Sequence, residues 1–243
     1  MTFDDLPPLA DRAALFSALR QDQLVAAVDA LGEHRWDADL EAGTITFSAS
    51  ADPSRRVVAG AELIASIAPG PRTVLWAWAH PRGRAGGAAA RLRDYGTQHG
   101  LRALIEDETP FPADAGPDLD AWIGDAAHTI GRLTAEITGH APYFAAPLGG
   151  GARAVFVLDG IVPPLTVTDA LTVLPRILAS TTMTDPRTSV WDLARLAAWD
   201  MQWTDESYGG AVLRDATGSA TFRFDDQARI SGVQGLLGGT PQA

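Results

Sequence analysis

Trp76, Trp78 and His80 stand at alternate positions in the run Thr73-Val74-Leu75-Trp76-Ala77-Trp78-Ala79-His80-Pro81, and Arg82 and Arg84 follow directly. Alternate residues of an extended strand share one face, so this spacing predicts a row of two indoles and an imidazole. Such a row could floor a pocket, stacking on a planar ligand or a cation, with Arg82 and Arg84 at the rim to hold an anion. The simpler reading of the same row is a sheet face packed beneath the helix that bears Trp122. Trp76, Trp78, His80, Arg82 and Arg84 are therefore the ligand-binding candidates.

Other chemistries find less support. The chain has no Lys and no Cys, and all 19 of its basic residues are Arg. Schiff-base formation, pyridoxal phosphate anchoring and the P-loop lysine need an amine, which Arg does not offer. Thiolate nucleophiles and Cys-ligated zinc or iron–sulfur clusters need a thiol. The five His residues, at 34, 80, 99, 128 and 140, show no zinc-motif spacing. His99 reads as a helix C-terminal residue and His128 as the flank of a helical stripe. Glu106-Asp107-Glu108 reads as a solvated loop, Asp118 and Asp120 as a helix start, and Asp225-Asp226 as a hairpin turn. The sequence contains no G-x-S-x-G, G-x-G-x-x-G or H-E-x-x-H pattern. Gly149-Gly150-Gly151 precedes a strand rather than a helix, so it reads as a hairpin loop and not a phosphate cradle. No catalytic residue, no metal and no cofactor is assigned.

Composition narrows the partners. A net charge of −11 and a pI near 4.7 oppose nucleic acid and anionic membranes. They suit a basic protein partner or a small ligand. An apolar share of 46% across 243 residues supports a proper core, and 24 Gly with 16 Pro imply many turns. The opening Met1-Thr2-Phe3-Asp4-Asp5 has neither a basic nor an apolar leader region, and apolar runs such as 74–79 are too short to span a bilayer. A cytoplasmic location is expected.

The elements that would position the candidates follow from periodicity. Residues 10–31 read as a helix closed by Gly32. Alternation predicts strands at 44–49, 56–67 and 73–79, joined by short turns at Asp52-Pro53-Ser54 and Pro69-Gly70-Pro71, which makes an antiparallel meander. A helix over 84–99 ends at Gly100. After a loop at 106–118, Asp118 caps a helix over 119–138. Its stripe of Trp122, Ala126, Ile130, Leu133 and Ile137 would pack the sheet. Residues 153–158 are apolar on both faces, as in a central strand. Pro163-Pro164 marks the boundary between a domain at 1–163 and an extension at 164–243. The extension is expected to carry helices near 168–179 and 190–203, then two or three strands, and to pack on the same body. Ser189 and Asp192 have the spacing of a helix N-cap and its third residue. The fold class is α+β: an antiparallel meander packed by helices, with a C-terminal helix-helix-hairpin extension.

The tryptophan run resembles an uncharacterised bacterial domain family of unknown function whose strand reads approximately Thr-Trp-Leu-Trp-Ala-Trp-Ala-Asn-Pro. Trp36-Asp37 followed by Gly43-Thr44-Ile45-Thr46-Phe47-Ser48 is similar to that family's first hairpin. Arg93-Asp94-Tyr95-Gly96 with His99-Gly100 is similar to a helix end in it, and Trp122 and Tyr143 also fit. The resemblance covers about residues 10–162. Val74 and His80 depart from it, where the family has Trp and Asn. It implies an α+β fold and names no activity. Two functions are weighed. One is a non-catalytic binding module, for instance an immunity-like protein that neutralises a basic toxin. The other is a small hydrolase or lyase using His and carboxylates on the sheet surface, which a His80–carboxylate pair in a wet cleft would favour.

Overall fold

Thr44, Thr46 and Ser48 alternate with Ile45, Phe47 and Ala49, and this period of two makes a strand with one buried face. The computed structural model describes residues 3–84, 86–113, 115–116 and 118–238; Met1, Thr2, Ala85, Asp114, Pro117 and residues 239–243 lie outside it. The chain divides into two compact units, residues 1–10 with 21–162 and residues 11–20 with 163–243. The expected first helix is two: α1, Pro7–Arg12, and α2, Ala14–Asp29.

The first unit is built on β1 (His34–Asp39), β2 (Thr44–Ala49), β3 (Arg56–Ala68) and β4 (Thr73–Trp76), an antiparallel succession. Helix α3 (Gly87–His99) and the short strand β5 (Glu108–Pro110) follow. β5 pairs with β4 inside the segment expected to be only a loop. Asp118 accepts a hydrogen bond from the Ala121 amide and starts α4 (Leu119–Thr138), as its sequence predicts. The hairpin β6 (Tyr143–Gly149) and β7 (Ala152–Asp159) closes the unit.

Strand β3 carries three partners. Its first part, 56–60, pairs with β2; residues 60–67 pair with β7; residues 65–68 pair with β4. From β1 through β2, β3 and β7 to β6 is four strand spacings, about 19 Å in a flat sheet. Yet the Trp36 ring on β1 lies 5.5 Å from the Phe144 ring on β6, and Phe144 lies 5.1 Å from Phe47 on β2. The sheet therefore curls until its β1 and β6 ends meet through side chains. Phe47, Phe144 and Phe156 fill the concave face, and α4 lies against β3, β6 and β7. Both faces of β7 are thereby covered, which is why 154–158 are all buried and apolar.

In the second unit Thr166 caps α5 (Val167–Ser180), which contains Pro175, and α6 (Pro186–Leu196) is capped by Asp185, whose carboxylate accepts from the Thr188 amide. The Ser189–Asp192 cap is thus overturned: Pro186 sets the first turn. Asp192 instead lies fully buried, accepting from Arg12 Nε at 3.0 Å and Arg195 Nε at 2.6 Å. The helix expected to reach Trp203 ends early, with Ala198 in a left-handed conformation at φ 55°. β8 (Asp200–Trp203), β9 (Gly210–Asp215), β10 (Gly218–Phe224) and β11 (Ile230–Leu237) then form a four-stranded antiparallel sheet, larger than the expected hairpin.

A buried carboxylate between two guanidinium groups is costly to remove, because each cation loses a charged partner. The arginines keep some solvent, with side-chain exposures of 42% and 37%, which moderates the loss. Asp192→Ala is expected to lower the unfolding free energy by about 2 kcal/mol in urea denaturation; an unchanged midpoint would refute this role.

Candidate functional site

The tryptophan row is not a strand face. β4 ends at Trp76, and residues 77–82 turn back. Ala77 still donates to the Ile64 carbonyl, but Ala79, His80 and Gly83 donate to Trp76, Ala77 and His80 carbonyls in successive turns. Gly83 approaches Ala77 so closely that a Cβ there would lie 1.7 Å from the Ala77 oxygen. Only glycine fits, and this close approach bends the alternating pattern out of the sheet.

The five candidates consequently separate. Trp76 is wholly buried, and its indole N–H donates to Thr109 Oγ1, which donates in turn to the Ala103 carbonyl. Trp76 is core. Trp78 stacks on it, centroids 5.0 Å apart and nearly parallel, with the Arg93 guanidinium 5.9 Å from the Trp78 ring centroid. His80 Nδ1 accepts from the Arg82 amide at 3.1 Å, which makes it a turn-former. No carboxylate lies within hydrogen-bonding distance of His80 among the described residues. Burial, and then the Arg82 charge, hold its pKa below the ordinary histidine value. Arg82 and Arg84 are exposed on the far limb of the turn. Below them Glu62 fixes the start of α3, accepting from the Ala88 and Ala89 amides at 3.0 and 2.9 Å.

Arg82 and Arg84 form one wall of a cleft of about 970 Å³. The other walls come from Trp36 to Glu41 on and after β1, Leu148 on β6 and Phe156 on β7. The sequence places Trp36 in a hairpin but marks no site at 36–41. Its signal was present: Arg35, Asp37, Asp39 and Glu41 alternate with Trp36, Ala38 and Leu40. In the register of the hairpin Trp36 stands opposite Phe47 and Ala38 opposite Ile45, so the apolar set faces the concave side. Asp37 and Asp39 lie on the opposite face of β1, at the outer rim of the cleft. Asp39 Oδ1 is engaged by the Glu41 and Ala42 amides, which shape the β1–β2 turn. Asp37, Glu41, Arg82 and Arg84 have no ion-pair partner among the described residues. The cleft thus has an apolar floor between uncompensated charges of both signs.

The remaining histidines serve local contacts. His128 Nδ1 lies 2.8 Å from the Tyr143 hydroxyl, and burial with the Arg132 and Arg153 charges lowers its pKa. His140 Nε2 lies 2.8 Å from Arg91, His34 Nδ1 lies 2.9 Å from the Gly32 carbonyl, and His99 packs on Tyr95.

Trp76→Ala is expected to cost on the order of 3–5 kcal/mol and to lower the melting temperature sharply, whereas His80→Ala should shift it by only a few degrees. Equal effects would contradict the division between core and turn. Both His80 and His128 carry native pKa values below the unfolded value of about 6.5. Their contribution is complete above that pH and declines as the pH falls toward the native values. A histidine titration by NMR should find both below 6.5; either one above it contradicts the environment described.

A comparison with curated proteins and with solved structures finds no match. A model for a family of unknown function, DUF6882, matches residues 7–161, which contain every wall of the cleft. Through those residues the chain belongs to this family of unknown function.

Proposed function

We propose that the chain is a non-catalytic binding module and that the cleft between β1 and the 82–84 turn is its site. The observation that carries this reading is the juxtaposition of Trp36, Leu148 and Phe156 with Asp37, Glu41, Arg82 and Arg84 around one opening. An apolar floor supplies affinity, and a few convergent charges orient what binds. Leu148 is 55% exposed, an apolar side chain that a ligand could cover. Guanidinium groups at a rim suit a carboxylate or phosphate. The surrounding carboxylates and the net charge of −11 favour a partner that also bears positive charge, such as a basic protein. An immunity-like role against a basic toxin is one form of that reading. No helix among the described residues is long and apolar enough to cross a membrane.

Indole-3-acetate, a planar ring that carries a carboxylate on a methylene, is a suitable probe. NMR titration is expected to shift the Trp36 indole and Leu148 methyl signals. The double variant Arg82→Ala/Arg84→Ala should weaken the interaction by about tenfold or more. Shifts confined to residues outside the cleft, or an affinity unchanged in the variant, would contradict the site.

A further inference from the structure

The two strands that bound the cleft are both sheet edges. Among the described residues β1 pairs only with β2 and β6 only with β7, although Trp36 and Phe144 bring these strands into side-chain contact. The orientation of their backbone groups follows from the ladder. The Ser50 amide donates to the Glu33 carbonyl, so residues 35, 37 and 39 point their backbone groups at β2. The N–H and C=O groups of Trp36 and Ala38 then point outward, along the cleft. On β6, the Leu158 amide donates to the Pro142 carbonyl, so Tyr143, Ala145 and Pro147 point outward. This second edge is already blunted. The Gln21 side-chain amide bonds both the N–H and the C=O of Tyr143, at 2.9 and 3.0 Å, and Pro147 has no N–H to offer. β1 is left as the open edge.

Resting on the cleft as the binding site, we propose that its ligand is an extended segment of a basic polypeptide that adds to β1 as a further strand. An added strand would bond the outward groups of Trp36 and Ala38, the mode known as β-augmentation. β1 runs over six residues, His34–Asp39, which sets the length of edge along which an added strand can pair. The faces of β1 dictate the segment's pattern. Residues opposite Trp36 and Ala38 lie over the concave, aromatic side and are apolar. Residues beside Asp37 and Asp39 lie on the opposite face and are Lys or Arg, since opposite charges pair across strands. Charge complementarity selects this occupant over a second copy of the same chain, whose net charge of −11 opposes self-association.

Three synthetic peptides test this with the full chain: Lys-Val-Lys-Val-Lys-Val-Lys, the same peptide N-methylated at alternate residues, and the version with Glu in place of Lys. Binding is read by amide shifts of Trp36 and Ala38. The first peptide is expected to bind saturably, N-methylation and the variant Asp37→Asn/Asp39→Asn each to weaken it at least tenfold, and the Glu peptide not to bind. Charge attraction alone would appear as binding insensitive to N-methylation, which overturns strand addition. Binding of indole-3-acetate without binding of the first peptide overturns this inference while leaving the cleft as a site. Failure of both probes overturns both readings.

Discussion

The cleft exists because the sheet built on β3 curls without closing. Twelve of the thirteen residues of β3 pair with β2, β4 or β7, with Ile64 left in a bulge, and the strands beyond them curl so that their aromatic side chains leave water. Trp36, Phe47 and Phe144 meet edge to face across the concavity. Side-chain contact closes the curl at that point, but no ladder joins β1 to β6. An incompletely closed sheet keeps unpaired edges, and proteins ordinarily blunt them. Here Gln21 and Pro147 blunt β6, while β1 keeps its outward groups and places carboxylates beside them.

The second determinant is the turn after β4. Trp76 is anchored by Thr109, and Gly83 is pressed on the Ala77 carbonyl, so the chain reverses and carries Arg82 and Arg84 to the mouth of the cleft. Glu62 then binds the first amides of α3 and holds the far end of the connection. The residues that drew attention in the sequence are thus divided by function. The indoles support the turn from beneath, and the arginines are presented by it.

Much of this architecture was legible. β2 follows from clean alternation, β3 from an alternation that a bulge at Leu63–Ala65 interrupts, α4 from its apolar stripe and the Asp118 cap, and the covered strand β7 from residues apolar on both faces. The end of β4 was not, because Trp76-Ala77-Trp78-Ala79 alternates as well as any strand and the contact that bends it joins two backbones. Asp192 has cap-like spacing from Ser189, yet Arg12, distant in sequence, draws it inside. Of the candidate site, Arg82 and Arg84 were named and 36–41 were not. The alternation of Arg35 to Glu41 shows a half-buried strand, but a period of two carries no information about whether a strand is central or an edge, or which edge it faces after the sheet curls.

Backbone hydrogen exchange along β1 tests the central claim, that an open sheet edge lines the cleft, most directly. Amides of Arg35 and Asp37 point at β2 and should be protected, while those of Trp36 and Ala38 point into the cleft and should exchange close to the rate of unbonded amides. Protection of Trp36 and Ala38 equal to that of their neighbours would show that the edge is already paired, and would contradict the account.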